Sequence, residues 1–179
     1  MQGLHNVENS IAAVAVAQQL GIKGDVIRKA LRSFSGVKRR FDYRINNKTH
    51  IYIDDYAHHP EELKAIINSV RQLYPNKKIT GVFQPHLFTR TRDFVEDFAS
   101  SLDLLDECFL LDIYPSRELP IEGVNSLWLL NKMKLIKKQV ISKEALLELL
   151  KKNRPELLLT MGAGDIDNLV IPIETIFND

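Results

Sequence analysis

Cysteine is almost absent from this sequence: Cys108 is the single thiol among 179 residues. One thiol excludes an intramolecular disulfide and is typical of a reducing compartment. Cys108 lies in an apolar segment, so we expect a core residue and not a nucleophile. No apolar run reaches the roughly 18–20 residues that a membrane helix requires, and the polar first residues do not resemble a secretory signal sequence. We therefore expect a cytoplasmic protein.

The sequence also lacks an excess of either charge. It has 24 Lys and Arg residues against 23 Asp and Glu residues, which leaves a formal net charge of +1. Such a balance provides no broad field for nucleic acid or for a membrane surface, and we expect neither as a partner. The basic run at residues 38–40 is too short for a nucleic-acid footprint, although one of its arginines could contact a phosphate.

Glycine-rich phosphate loops are missing as well. No Gly-x-x-x-x-Gly-Lys-Ser/Thr pattern occurs, so ATP would need a phosphate cradle from elsewhere. Residues 162–165, Gly-Ala-Gly-Asp, match half of a dinucleotide-binding pattern but lack its third glycine. We interpret them as a tight turn after a buried strand.

The sequence does contain an alternation of strand and helix patterns from about residue 49 onward. Short apolar runs rich in β-branched residues predict the strands, and amphipathic stretches between them predict helices. The strands are expected at residues 49–54, 78–84, 107–113, 137–141 and 156–161. This alternation favours an α/β fold, a Rossmann-like, mostly parallel, doubly wound sheet.

Two further features precede this alternation. A strand at residues 41–45 is expected to form an N-terminal β-hairpin with the first strand through Asn46 and Asn47, because asparagine tolerates the positive φ of tight turns. Before it, residues 6–20 and 26–33 predict two helices with no strand between them. Such a helical hairpin would leave apolar surface exposed unless another part of a protein covers it.

The polar residues are concentrated in the loops that follow three of the predicted strands. These loops span residues 55–59, 86–92 and 162–165. Because the carboxyl ends of parallel strands meet at one edge of the sheet, we expect the loops to converge there on a ligand. Arg90, just before a predicted helix, is a better candidate for binding a carboxylate or phosphate than Arg92, since a helix N-terminus does not favour a cation.

Some of these residues also allow a metal site, and hence a metal-dependent hydrolase. Its ligands would be Asp54, Asp55, His58, His59 and His86. Their spacing matches no recognised metal pattern, so ligand contacts or hydrogen bonds within loops are favoured. His59 is expected to act like an N-cap for the helix that begins at Pro60, and one of the two aspartates as a turn former.

Five stretches of the chain, in matching order, resemble the Mur ligases, the ATP-dependent amide-bond ligases of peptidoglycan precursor synthesis. The stretches are residues 3–13, 34–41, 54–62, 83–92 and 161–166. Two runs, Asp-Asp-Tyr-Ala-His-His-Pro and Gln-Pro-His-Leu-Phe-Thr-Arg-Thr-Arg, are similar to those of members that join L-alanine to UDP-N-acetylmuramate. The resemblance spans nearly the whole chain.

The resemblance implies a part of a three-domain enzyme. Residues 1–35 would be the last helices of the central, ATP-binding domain, and residues 36–179 the C-terminal domain that binds the amino acid and completes the ATP site. The family uses ATP and Mg²⁺ to activate a carboxylate as an acyl phosphate, which the amine of the amino acid attacks. UDP-N-acetylmuramate, L-alanine and ATP would be the partners, and this fragment alone is expected to be inactive.

The resemblance also implies roles for individual residues. Those expected at ATP are His5, Asn6, Asn9, Arg40 and Asp55. Those expected at the amino acid are Tyr56, His58, His59, His86 and Arg90. Some members carry arginine where this chain has Leu87, so Arg90 is expected to carry more of the contact with the amino-acid carboxylate. No catalytic residue and no metal ligand is assigned.

Three alternatives to the L-alanine-adding reaction remain open at this point. The first is the recycling ligase of the same family, which attaches a whole peptide to the same sugar nucleotide. The second is the metal-dependent hydrolase, which bound zinc in the purified chain would support. The third is a binding module that holds a nucleotide without chemistry.

Overall fold

The computed structural model describes residues 4–34 and 36–178, and the side chains from residue 7 onward. The helices are α1 (Leu4–Gln19), α2 (Gly24–Ser33), α3 (Pro60–Leu73), α4 (Phe88–Asp93), α5 (Val95–Leu102), α6 (Ser126–Lys132), α7 (Lys143–Lys152), a 3-10 helix (Asp165–Leu169) and α8 (Val170–Asn178). The strands are β1 (Asp42–Asn46), β2 (Ile51–Asp55), β3 (Ile79–Phe83), β4 (Glu107–Leu110), β5 (Lys138–Val140) and β6 (Leu157–Met161).

The six strands form one sheet in the order β1-β2-β6-β3-β4-β5. Strand β1 is antiparallel to β2, and every other neighbouring pair is parallel. The predicted Rossmann-like sheet with an N-terminal hairpin is therefore confirmed. The central strands β2, β3 and β6 are buried along their full length, as expected when helices cover both faces of a parallel sheet.

Each face of the sheet carries its own core. On one face, helices α3, α5 and α6 pack on side chains such as Ile53, Phe83 and Leu159. On the other face, α7 and α8 pack on side chains such as Tyr52 and Leu158. Because consecutive residues of a strand point to opposite faces, these two cores account for the uninterrupted apolar runs of the sequence.

The hairpin between β1 and β2 turns by a mechanism other than the one predicted. Asn46 and Asn47 keep negative φ angles. Instead, the Asn47 side-chain oxygen accepts hydrogen bonds from the backbone N–H groups of Thr49 (3.0 Å) and His50 (2.8 Å). The asparagine thus stabilises the turn through its side chain, as in an Asx turn.

The region between β3 and β4 also differs from the expectation of a loop up to residue 90 and one helix after it. Helix α4 already begins at Phe88, and a break at Phe94 separates it from α5. Arg90 therefore lies within a helix. Two elements that the sequence did not predict, the 3-10 helix and α8, follow β6.

The pair α1 and α2 exposes a large apolar surface, as predicted. Its exposed side chains are Val7, Ile11, Val16, Leu20, Ile22, Val26, Leu31 and Phe34. Within residues 4–34 and 36–178, no helix combines the length and the apolar character needed to span a bilayer.

Candidate functional site

The predicted convergence of loops occurs at the carboxyl edge of the sheet. The N–H of Gly162 donates to the carbonyl of Asp55 (3.2 Å), and that of Gln84 donates to the carbonyl of Met161 (3.0 Å). A fourth loop, which follows β4, joins the three, since Tyr114 donates its N–H to the carbonyl of Pro85 (2.8 Å). The polar residues after β2, β3 and β6 are therefore brought to one place.

The two aspartates at the end of β2 point to opposite sides of the sheet, and both hold other elements in place. The buried carboxylate of Asp54 accepts hydrogen bonds from Thr160 (2.7 Å) and Arg39 (3.0 Å). Asp55 accepts from the backbone N–H groups of Phe41 (2.7 Å) and Ala57 (2.8 Å). Burial raises the pKa of Asp54, although its two partners work in the opposite direction. One of the two aspartates was expected as a turn former, and in the structure both carboxylates hold neighbouring elements.

Arg39 is central to this edge, and the sequence reasoning missed it in favour of its neighbour Arg40. Its guanidinium pairs with Asp54, donates to the carbonyl of Gly162 (2.6 Å) and lies 5.2 Å from the ring centre of Tyr56. Arg39 therefore joins the linker before β1 to the ends of β2 and β6. The only signal in the sequence was the short basic run.

Three of the five residues expected at ATP line one crevice of about 310 Å³. They are Asn9, Arg40 and Asp55, and the first turns of α3 form the opposite wall. The volume is at the lower end of the usual range for a ligand pocket. The side chains of His5 and Asn6 lie outside the described residues.

Four of the five residues expected at the amino acid form a chain of contacts. The rings of Tyr56 and His58 are 5.2 Å apart between centroids, and those of His58 and His86 are 6.1 Å apart. The guanidinium of Arg90 lies 3.5 Å from Nδ1 of His86. The structure thus groups an aromatic ring, two imidazoles and one cation at the carboxyl edge of β2 and β3.

His59 lies apart from this group. Its ring contacts Phe94 at 4.9 Å, and it occupies the N-cap position of α3, where its backbone N–H donates to Glu62 (3.1 Å). The expected N-cap-like role therefore agrees with the structure. A direct contact of His59 with an amino acid has no geometric support.

Two residues of the loop after β4 belong to the site and were missed from the sequence. The ring of Tyr114 stacks on His86, with centroids 5.7 Å apart and an interplanar angle of 20°. Glu118 accepts hydrogen bonds from Thr89 at the start of α4. The position of both residues after a predicted strand was the signal that could have indicated them.

The surroundings of His86 favour its neutral form. Burial, and then the electrostatic effect of the nearby Arg90 and His58, lower the pKa of His86 below its ordinary value of 6.5. The unfolded chain then binds more protons than the folded one near pH 6, so acidification through that range costs stability. We expect an NMR titration of the ring protons to give a pKa below 6.5.

Removing the charge of Arg90 should raise the pKa of His86 toward 6.5, and Arg90→Met tests this. Arg92→Met is the matched control on the same helix, because Arg92 is exposed and pairs with Asp93. A pKa of 6.5 or higher in the unmodified chain would contradict this account of the site.

The metal site required by the hydrolase hypothesis is not supported. Among the side chains of residues 7–34 and 36–178, no three His, Cys, Asp or Glu residues are grouped so that they could hold a metal ion. Of the five proposed ligands, Asp54 and Asp55 hold other elements in place, and His59 faces Phe94.

Known proteins resemble this chain in sequence and in fold. A UDP-N-acetylmuramate–L-alanine ligase from Flavobacterium psychrophilum is 52% identical over 174 residues, which are 97% of this chain and 39% of that protein. One from Cytophaga hutchinsonii is 53% identical over 174 residues, 97% of this chain and 37% of that protein. The chain therefore spans about two fifths of the length of these relatives.

Solved structures also resemble this chain. The UDP-N-acetylmuramate–alanine ligase of Thermotoga maritima superposes with a TM-score of 0.79 at 28% identity, covering 99% of this chain and 39% of that one. A murein peptide ligase from Psychrobacter arcticus shares the fold, with a TM-score of 0.70 at 20% identity over 100% of this chain and 38% of that one.

The family described as Mur ligase, glutamate ligase domain, matches residues 39–164. The chain belongs to the Mur ligase family.

Proposed function

We propose that this chain is the part of an ATP-dependent ligase that binds the incoming amino acid and completes the ATP site. The reaction would join L-alanine to UDP-N-acetylmuramate in peptidoglycan precursor synthesis. One observation carries the proposal: His58, His86 and Arg90 lie together at the carboxyl edge of the sheet. The sequence of this chain is 52% and 53% identical to two enzymes named for this reaction.

The amino-acid site would use Arg90 for the carboxylate of L-alanine, because a guanidinium forms charge-assisted hydrogen bonds with a carboxylate. Tyr56, His58 and His86 would line the rest of this site. A neutral His86 suits this role, since a second cation beside Arg90 would cost electrostatic repulsion. His59 would act indirectly, by fixing the start of α3.

The ATP site would be shared with a part of the enzyme beyond this chain. Asn9, Arg40 and Asp55 line one crevice, and we propose that they contact the nucleotide together with His5 and Asn6. The Asp55 carboxylate suits ribose hydroxyls, since each of its oxygens can accept more than one hydrogen bond. The phosphate loop would come from the remaining domains.

Magnesium is proposed only as the ion that accompanies ATP. The described residues do not fit a magnesium site of their own, because no acidic cluster faces a common point. We therefore assign no residue of this chain to the ion. The cytoplasmic location expected from the sequence stays a prediction.

The domain division is also a proposal. Residues 1–35 would belong to the central domain of the enzyme and residues 36–179 to its C-terminal domain. The apolar surface of α1 and α2 supports this, since a patch of that size is normally covered by another part of a protein. An apolar cleft of about 450 Å³ between Ala13, Leu31 and Phe34 lies in the same surface.

A chimera tests the proposed reaction. This chain would replace the matching 174-residue segment of the Flavobacterium psychrophilum ligase, and amide formation would be measured with ATP, Mg²⁺ and UDP-N-acetylmuramate. We expect product with L-alanine and far less with a tripeptide acceptor. The reverse preference would identify the recycling ligase, and no ATP-dependent product with either acceptor would contradict the proposal.

Arg90→Ala in this chimera is expected to raise the KM for L-alanine at least about tenfold, because a hydrogen bond to a charged group contributes about 1.5–3 kcal/mol. The KM for ATP should stay unchanged. Arg92→Ala, two residues along the same helix and exposed, is the matched control and should have normal kinetics. An unchanged KM for L-alanine in Arg90→Ala would remove Arg90 from the site.

A further inference from the structure

Helix α4, which carries Arg90, begins without a capping side chain of its own. The residue at its N-cap position is Leu87, with φ of 73° and ψ of 135°, and its side chain makes no capping hydrogen bond. A positive φ is unfavourable for a leucine, and an apolar side chain cannot accept from the free N–H groups of a first helical turn. Something else must hold this turn.

Glu118 supplies the missing acceptor from the loop after β4. Its Oε2 accepts from the backbone N–H of Thr89 at 3.0 Å, and its Oε1 accepts from the Thr89 hydroxyl at 2.5 Å. These bonds from Thr89, together with one from the N–H of Phe88, lower the pKa of Glu118. The carboxylate therefore caps the first turn of α4 from a neighbouring loop, 29 residues further along the chain.

The loop that carries Glu118 is itself held at several points. The carbonyl of Tyr114 accepts from the N–H of Leu87 at 3.0 Å, and its N–H donates to Pro85. The Tyr114 ring stacks on His86. The Cβ of Tyr114 lies so close to Gly164 that a Cβ added to that glycine would lie 2.6 Å from it. These contacts fix the position of the loop that carries Glu118.

We propose that Glu118 is a positioning residue for the amino-acid site. By capping α4 it fixes the turn that carries Arg90 and the adjoining His86, and so sets the spacing between guanidinium and imidazole. Glu118 would act through α4, since its hydrogen bonds come from Thr89 and Phe88 and not from His86 or Arg90. That the bound amino acid is L-alanine rests on the proposed function, whereas the positioning of α4 by Glu118 does not.

The kinetic test uses the chimera with Glu118→Ala. Loss of a helix cap changes a local equilibrium by about two- to thirtyfold, so we expect the KM for L-alanine to rise by about that factor. The kcat and the KM for ATP should change less than about twofold, because the reacting groups stay in place. Glu118→Gln, which keeps one acceptor oxygen, should restore part of the affinity. Glu122→Ala, an exposed carboxylate in the same loop, should have no effect.

A second measurement tests the positioning without any activity. In this chain alone, Glu118→Ala should speed amide hydrogen exchange at Thr89 and Arg90. Glu122→Ala should change neither. A chimera that ligates no amino acid would count against the proposed function and leave this measurement intact.

Two results would overturn the inference. The first is unchanged amide hydrogen exchange at Thr89 and Arg90 in Glu118→Ala. The second is an equal rise of the KM for L-alanine and for ATP, which would show a general loss of structure and not the positioning of one site.

Discussion

Replacing Arg39 by methionine is expected to lower the free energy of unfolding by about 3 kcal/mol at pH 8, the lower end of the cost of breaking a buried ion pair. Asp54 is fully buried and would keep only its bond from Thr160. The lower end applies because the Arg39 side chain is 18% exposed, so water screens part of the pair. Methionine leaves the backbone strain unchanged, since both residues are non-glycine at a φ of 60°.

The loss should depend on pH in a defined direction. The pKa of folded Asp54 is already raised above its ordinary 3.8, mainly by burial. Between the ordinary and the raised pKa, Asp54 is protonated in the folded state and ionised in the unfolded state. The free energy of unfolding therefore falls as pH rises through this range. Without Arg39 the pKa of folded Asp54 rises further, so this pH range extends upward. The difference between Arg39→Met and the unmodified chain should therefore be smaller at pH 5 than at pH 8.

Urea unfolding at the two pH values measures this effect. Arg40→Met, a substitution of the exposed neighbouring residue, should cost less than about 0.5 kcal/mol. Adding Asp54→Asn to Arg39→Met should recover part of the stability, because the neutral amide does not need the guanidinium. A loss that is equal at pH 5 and pH 8 would show that Arg39 acts through packing and not through its charge.

Much of the fold could be predicted because it depends on patterns within short windows. A strand buried on both faces needs an unbroken apolar run, and residues 157–161 show one directly. The convergence of the polar loops follows from parallel strands alone. Even the exposed surface of α1 and α2 could be inferred, because two helices with apolar side chains and no strand between them have no sheet to cover.

The remaining features depend on contacts between residues that are far apart in sequence. Arg39 meets Asp54 across 15 positions, and Glu118 caps α4 across 29. No local pattern indicates either pair, and the missing cap at Leu87 made the start of α4 unrecognisable. The position of Tyr114 after a predicted strand indicated only that it lies at this edge of the sheet, and not that its ring stacks on His86.

Asp55→Ala is expected to destabilise the chain and weaken its nucleotide site together. The carboxylate accepts from the backbone N–H groups of Phe41 and Ala57, which lie at buried residues. Each buried N–H left without an acceptor costs about 1–3 kcal/mol. Denaturant unfolding should therefore show a loss of about 2–6 kcal/mol, and Asp55→Asn, which keeps one oxygen, about half of it.

Amide hydrogen exchange locates the cause. Phe41 and Ala57 should exchange much faster in Asp55→Ala, while Asp112→Ala, which removes an exposed aspartate after β4, should leave both unchanged. In the chimera, the KM for ATP should rise more than the KM for L-alanine, because Asp55 lines the crevice with Arg40, whereas His86 and Arg90 do not line it. Normal stability with weaker ATP binding would instead mean that Asp55 serves the ligand alone, and that the two backbone bonds contribute little to the fold.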